Sequence, residues 1–427
     1  MRRRLLLRVA ASDLAGLVAA LAVGSAWTFG TPALWNADVP PGQSAMPLTG
    51  LLVGGFFLGT FLTGRAWIKG PPRPAYGRAL SIAGFMLGVT SLGIVFARVY
   101  WSRSLLVITT VVWIVLALAM RALYRQQAWA DSLVVVTDES ALVSRLQEAP
   151  HAAVLARVSP KTVDAVDEIP QDATLVVDLR AVLSDRMAQF VSSCNLAGVP
   201  VRTLGDVYEE HTGRFPIVHL AEGWELSVPV QRAAGYEPLK RLLDVVAVVV
   251  MAPIAIVLSA VAWVLVRVDA GQPVLFRQRR VGRNGEPFIV YKFRTMQIDA
   301  EAEGPRFAVE RDDRVTRIGR FLRKSRIDEL PQLWNILRGD LSLVGPRPEQ
   351  EAFVAAFAEK IPFYMHRHLV RPGLTGWSQV NYGYGGAEDT EDKLAYDLYY
   401  AKHMSIWLDA QIIGKTIWTV VSGSGAR

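Results

Sequence analysis

The apolar run from Leu242 to Val266 constrains this chain more than any other stretch, because both of its flanks are basic. Lys240-Arg241 precede it, and Arg267, Arg277, Arg279, Arg280 and Arg283 follow it. The run is long enough to cross a bilayer, but positive charge favours the cytosolic side, and a full crossing would separate the two flanks. Pro253, near its middle, removes a backbone N–H and destabilises a straight interior helix by about 3 kcal/mol. The freed carbonyl then needs a local partner. The run is therefore expected to break at Pro253, enter one leaflet and return, as a re-entrant hairpin over residues 240–266. Ala252 and Ala255 leave room for the turn.

Four further apolar segments come first, at Leu14–Phe29, Leu48–Leu62, Leu80–Phe96 and Leu105–Met120. Each extends to near the twenty residues that a transmembrane helix needs. Arg2, Arg3, Arg4 and Arg8 precede the first, and the following loop to Ala45 has no Lys or Arg. Arg65, Lys69, Arg73 and Arg78 fill the next loop, and Arg121 and Arg125 follow the fourth segment. Arg98 and Arg103 are an exception, yet the balance places both ends of residues 1–125 inside. Residue usage agrees: 51% is hydrophobic, and the net charge of +7 suits anionic lipid heads or phosphates. One cysteine, Cys194, allows no intrachain disulfide and fits a reducing cytosolic face. Six histidines and that cysteine form no zinc-type cluster. No short apolar region with a small-residue cleavage site is present, so no removable signal peptide is expected.

Residues 131–225 read as a small Rossmann-like parallel α/β domain. Leu133–Val136, Ala153–Leu155 and Thr174–Val177 are buried-strand patterns with helical stretches between them. The first strand runs into Thr137-Asp138-Glu139-Ser140, which has two acids and no glycine. Such a turn opposes a pyrophosphate, so dinucleotide binding is not expected and the domain reads as structural or regulatory, not catalytic.

Residues 236–427 carry the chemistry. Pro273–Phe276 and Pro287–Tyr291 read as strands around an Asn284-Gly285 turn. Val315, Ile318, Phe321 and Leu322 fall at helical spacing opposite Arg317, Arg320 and Arg323, which suits either an anionic membrane surface or solvent. In KSRIDELPQLWNILRGDLSLVGPRP, from Lys324, two carboxylates stand side by side at Asp328-Glu329. Asp328 is expected to cap a helix with Pro331 in its first turn. Leu333, Trp334, Ile336 and Leu337 form its apolar face, and Gly339 its stop. Arg320, Arg323, Lys324, Arg326 and Arg347 surround the pair. Carboxylates among so many cations suggest phosphoryl chemistry, with Mg²⁺ bridging acid and phosphate. The plain alternative is a capping acid in a solvated basic surface. Trp377, Tyr382, Tyr384, Tyr396, Tyr399, Tyr400 and Trp407 suit either a membrane interface or a small core. Ile406–Val421 reads as a helix lying on the membrane, interrupted as a span by Asp409 and Lys415.

Three ordered blocks carry a resemblance: Tyr291-Lys292-Phe293-Arg294-Thr295-Met296, the Asp328–Pro348 string, and Arg371-Pro372-Gly373-Leu374-Thr375-Gly376-Trp377. Together they resemble the bacterial sugar transferases called polyprenyl-phosphate glycosyl-1-phosphate transferases. The resemblance implies a membrane protein of mixed α and α/β class: four transmembrane helices, the Rossmann-like domain, and a mostly helical monotopic catalytic domain with a re-entrant hairpin. That hairpin's break often reads Ser-Pro in the family and here reads Ala252-Pro253. The implied reaction moves a sugar 1-phosphate from a UDP-sugar to undecaprenyl phosphate with release of UMP, at the cytoplasmic face of a bacterial inner membrane. It starts exopolysaccharide, capsule or O-antigen synthesis. By the same resemblance Asp328 is the nucleophile and Glu329 the Mg²⁺ ligand. Arg326 and Arg347 are candidate phosphate forks, and Lys292 and Arg294 candidate contacts to donor or acceptor phosphates. Asp340 and Asp409 match acidic positions of the family. The implied partners are the UDP-sugar, undecaprenyl phosphate and the lipid bilayer, with no nucleic acid. Oligomeric state is open, a homo-oligomer included. Two other readings stand beside this one: an inactive membrane scaffold for polysaccharide enzymes, and a direct displacement with Asp328 as a base.

Overall fold

Apolar stretches in a bilayer become helices because a helix satisfies its own backbone groups. The computed structural model describes residues 2–32, 46–67, 76–97, 102–126, 130–162, 170, 173–217, 230–297, 313–382 and 389–422. Lys69, Arg73, Arg98, Tyr384 and residues 218–225 of the α/β domain lie outside them. Four helices cover the first four apolar segments: α1 (Arg2–Phe29), α2 (Met46–Trp67), α3 (Tyr76–Ala97) and α4 (Arg103–Gln126). With Gly235–Asp269 they make five helices, among the described residues, that are long and apolar enough to cross a membrane. Leu17, Leu52, Phe56, Ile82, Met86 and Trp113 form the core of α1–α4. An ion pair lies inside that core: Arg121 Nη1 and Nη2 donate to Asp13 Oδ1 and Oδ2 at 2.6 and 2.7 Å. Trp113 Nε1 also donates to the Asp13 carbonyl at 3.0 Å. A charge among apolar helices needs such a partner.

Most of the rest of the chain forms a second compact unit. Strands β1 (Asp131–Val136), β2 (Ala152–Val158), β3 (Thr174–Val177) and β4 (Val201–Thr203) form one sheet in the order β2-β1-β3-β4. The sequence does not announce β4, whose three residues are too few for a periodic signal. It pairs parallel to β3, with Leu175 opposite Val201. Helices α5 (Ser140–Gln147), α6 (Asp185–Leu196) and α7 (Leu204–Thr212) complete this part. After β1, Thr137 Oγ1 donates at 2.8 Å to the buried Asp178, which follows β3, so a hydroxyl bonded to that acid stands where a dinucleotide fold carries glycine.

The long helix α8 (Val230–Asp269) contains Pro238 and Pro253. Before Pro253, Val248 packs with Val290, Ile336 and Leu341. After it, Ala262 and Val266 pack with Val274, Phe293 and Leu322. Between these contacts Val249, Val250, Ile254, Ile256 and Val257 are exposed. Strand β5 (Leu275–Val281) pairs antiparallel with β6 (Pro287–Phe293), and Phe276 faces Lys292. Their turn has Asn284 and Gly285 at φ 55° and 80°, the positive values that an Asn-Gly turn supplies. In α9 (Arg317–Lys324) Leu322 is buried, but Phe321 is exposed among the arginines, so the inward face is narrower than the spacing suggests.

A pairing invisible in the sequence follows. Strand β7 (Ser342–Val344) lies parallel to β8 (Gly373–Thr375), with Ser342 opposite Gly373 and Val344 opposite Thr375. The second and third sequence blocks therefore touch. A Cβ on Gly373 would lie 2.0 Å from the Gly345 nitrogen, closer than any side chain permits. Of the aromatic residues, Trp377, Tyr396 and Tyr400 pack a core with Val344, Met404 and Ile412, and Trp407 stays exposed. That core contains part of the last helix (Ile406–Ser422), whose Asp409 turns inward while Ile413, Ile417 and Trp418 face out.

Candidate active site

Arg326 opens the site in a left-handed conformation, φ 58°, which is uncommon for a residue with a Cβ. A 3₁₀ turn over Ile327–Glu329 follows, and helix α10 (Gln332–Arg338) starts only at Gln332, with Pro331 as its cap residue. Asp328 is thus not the helix cap that the sequence suggests. Leu330 N, the donor that a capping Asp328 would have served, is used by the turn's own bond to Ile327 O at 3.2 Å, and Pro331 has no N–H to offer. The Asp328 carboxylate is left available for other work. Gly339 does end the helix, at φ 92°, donating to the carbonyls of Asn335 and Ile336 at 3.1 Å. Ile336 faces inward as expected, whereas Trp334 and Leu337 are exposed.

Both carboxylates are buried, in different company. Glu329 meets three cations: Lys292 Nζ at 3.2 Å, and Arg326 Nη1 and Arg347 Nη2 at 3.6 Å each. Burial pushes its carboxyl up, but Lys292, Arg347 and Arg326 outweigh that and hold it at about 2. Asp328 is pushed up to about 6 by burial and by the Glu329 charge, against the opposing pull of Lys292, Arg323 and Arg326. Its Oδ1 is buried with no hydrogen-bond partner among the described residues. Neighbouring acids in one pocket are thus driven apart: one is ion-paired and ionised at neutral pH, and the other is raised towards neutrality with an oxygen that has no partner among the described residues. Burial lowers the Lys292 ammonium, with Glu329 opposing.

Other sequence candidates fall into place around this pair. Arg294 Nε and Nη1 are buried without a partner among the described residues, two positions along the chain from Lys292. Asp340 accepts from Asn335 Nδ2 and Arg338 Nε, each at 3.4 Å. Asp409 is buried in a network of its own, accepting from Lys240 Nζ at 2.5 Å, Tyr400 OH at 2.7 Å and Tyr236 OH at 3.0 Å. That network fastens the start of α8 to the last helix, and none of its members is Asp328 or Glu329. Asn335 ties α10 to the strand that carries Lys292, donating to Ile289 O at 2.7 Å and accepting from Tyr291 N at 3.3 Å. Two contributors had no role of their own in the sequence reading. Arg323, held by Thr295 at 2.9 Å, adds to the charge on Asp328. Gln332 Nε2 is a buried donor without a partner among the described residues. Their signal in the sequence is only nearness to the acid pair.

Comparison with known proteins places the site-bearing half of the chain in a family. The family model described as bacterial sugar transferase matches residues 235–423. A UDP-N-acetylgalactosamine-undecaprenyl-phosphate N-acetylgalactosaminephosphotransferase of Aeromonas hydrophila is 45% identical over 258 residues, which is 59% of this chain and 60% of that protein. A UDP-glucose:undecaprenyl-phosphate glucose-1-phosphate transferase of Caulobacter vibrioides is 42% identical over 190 residues, 44% of this chain and 71% of that protein. An Escherichia coli transferase of the same description is 40% identical over 185 residues, 42% of this chain and 39% of that protein. The aligned region thus covers less than two thirds of the Aeromonas and Escherichia proteins.

Proposed function

We propose, from the premise that this chain belongs to the bacterial sugar transferase family, that it moves a sugar 1-phosphate from a UDP-sugar to undecaprenyl phosphate and releases UMP. One observation carries the reading: Asp328 Oδ1, buried and without a partner among the described residues, lies beside an acid held ionised by three cations. In the first half-reaction an Asp328 oxygen attacks the sugar-bearing phosphorus. An O–P bond forms, the bond from that phosphorus to the bridging oxygen breaks, and UMP leaves with the electron pair. In the second, an oxygen of undecaprenyl phosphate attacks the same phosphorus and Asp328 departs as a carboxylate. Neither step needs Asp328 to take up a proton, because the acceptor phosphate is already an anion near neutral pH. That speaks against Asp328 as a base.

The residues fit a Mg²⁺ ion, since an uncommitted carboxylate oxygen beside a second ionised carboxylate is the hard-oxygen donor set this metal takes. Glu329 would hold it, and the ion would neutralise part of the diphosphate charge. Lys292, Arg326 and Arg347, now on Glu329, are placed to take phosphate oxygens, and Arg294 brings two uncommitted donors.

The same reading places the site at the cytoplasmic face, with α8 as a re-entrant hairpin. Val248 and Ala262 lie about 21 Å apart along a straight helix. Val248 belongs to a cluster that includes Val290, and Ala262 to one that includes Phe293 of the same strand. The helix is continuous through Pro253, so the expected break is not an interruption of the helix. The proposed hairpin is a bend of the two halves about that residue, each half packing on the same catalytic body. Cysteines at positions 236 and 270 in a Cys194→Ser background should both resist an impermeant reagent in intact cells and react in inverted vesicles. Labelling of position 270 from outside would overturn the hairpin. For the chemistry, the full chain is given UDP-N-acetylgalactosamine, UDP-glucose and UDP-galactose with undecaprenyl phosphate, and UMP release is measured. A phosphosugar trapped on protein before acceptor is added distinguishes the covalent route from direct displacement. No release from any donor would favour the inactive scaffold.

A further inference from the structure

The loop that carries Arg347 is held almost entirely by its carbonyls. Pro346 and Pro348 have no N–H to donate. Successive carbonyls along the loop accept from four separate places: Pro346 O from Gly373 N at 2.9 Å, Arg347 O from Arg367 Nη2 at 2.9 Å, Pro348 O from Arg280 Nη1 at 3.0 Å, and Glu349 O from Val281 N at 2.9 Å. Two of these donors are guanidinium groups. Arg367 is buried and is itself fixed on three sides, to Asp397 Oδ2 at 2.7 and 3.1 Å, to Tyr364 OH at 2.7 Å, and to the loop. Asp397 in turn accepts from Ser378 at 2.8 Å. Arg280 is oriented by Gln278 Oε1 at 2.5 and 2.8 Å. At the end of this arrangement is one half-buried side chain, the Arg347 guanidinium, at Glu329.

We infer that Arg367, anchored by Asp397, is a positioning residue that aims Arg347 into the acid-pair site, with Arg280 as a second anchor on the same loop. Arg367 touches no reacting group. It acts because a planar fork can bond a carboxylate and a backbone carbonyl at once, which the single ammonium of lysine does not reproduce. The inference rests on the proposed transfer for its kinetic arm only.

The test is a double-mutant cycle on kcat/KM for UMP release, with hydrogen exchange on the same full-length proteins. Arg367→Lys should slow the enzyme by about 10–100-fold in an otherwise unchanged protein, a loss on the scale of a misplaced catalytic group. In an Arg347→Ala background the same change should cost less than about threefold, because the residue it aims is gone. A purely structural role would cost the same in both backgrounds, and equal costs overturn the inference. Arg280→Lys, at a half-buried site, repeats the cycle should Arg367→Lys fail to fold. Amides of residues 341–352 should exchange faster in either variant while those of β5 and β6 keep their protection. Unchanged exchange there overturns the inference whether or not the chain proves to be a transferase. If the parent protein releases no UMP, the proposed function fails by itself, and the exchange arm still decides the positioning.

Discussion

Lys292 Nζ lies 3.2 Å from Glu329 Oε1, so the strand β6 of the first sequence block reaches directly into the turn of the second. The ammonium pulls both carboxyls downward, and burial pushes both upward. Glu329, which also has Arg347 and Arg326, ends at about 2, whereas Asp328 ends at about 6.

The first prediction is the pH profile. Only ionised Asp328 can attack, so kcat/KM should fall about tenfold per unit below a limb near pH 6 and level off above it. Lys292→Met removes a charge that favours the ionised form, and the limb should move to higher pH. A limb that moved to lower pH would contradict the assignment.

A second prediction concerns the nucleophile. Asp328→Asn should lose both turnover and the trapped phosphosugar, by at least about a thousandfold, because an amide is no anionic nucleophile. Glu329→Gln should also lose turnover, partly regained at higher Mg²⁺. Normal trapping by purified Asp328→Asn is the outcome that removes Asp328 from the mechanism.

Acid stability gives a third. The folded Glu329 carboxyl sits at about 2 against an ordinary 4.5, so its contribution to stability is complete above about pH 4.5 and is lost as pH falls towards 2. Raised Asp328 has the opposite sign: it is most favourable when protonated, and that advantage disappears as pH rises through about 6. Weakening the hold on Glu329 with Lys292→Met should therefore move acid unfolding to higher pH, read by tryptophan fluorescence in detergent.

The fourth concerns where a shortened protein can begin. The absence of a glycine turn suggests that the unit Ser132–Asp206 is dispensable and that a chain starting near Gln231 keeps activity. The structure moves that boundary. Phe215 is buried with Val281, Val354, Tyr364, Leu394 and Leu398. Buried Glu209 accepts from Lys402 at 2.9 Å and pairs with His403 at 2.7 Å, and Trp377 Nε1 donates to Gly213 O at 2.8 Å. Losing Phe215 alone should cost about 3–5 kcal/mol. A chain starting near Leu204 should melt at a clearly higher temperature than one starting near Gln231, and equal melting would show that the segment is an accessory.

The fifth is the ion pair between α1 and α4. Asp13→Leu or Arg121→Met alone leaves a buried charge and should cost about 3–5 kcal/mol, while the double substitution should lie close to the parent protein. Equal damage from the single and double changes in detergent unfolding would deny the pairing its role.

What the sequence determined by itself was whatever local patterns carry. Apolar length gave five membrane-compatible helices, short continuous apolar runs gave β1 to β3, Asn284-Gly285 gave a turn, and Gly339 gave a helix stop. The acid pair and its surrounding cations were legible because they are close in the chain. Tertiary structure alone decided which carboxylate is ion-paired and which is left unpartnered, since that depends on Lys292 and Arg347 arriving from other strands and loops. It also decided that Asp409 serves a buried anchor with Lys240 and Tyr400, that most of the C-terminal aromatics fill a core, and that β7 and β8 join two blocks thirty residues apart. The physical reason is common to all of these. Periodicity and capping act over a few residues, whereas burial, ion pairing and the pKa values they set depend on the distances between groups that only the folded chain brings together.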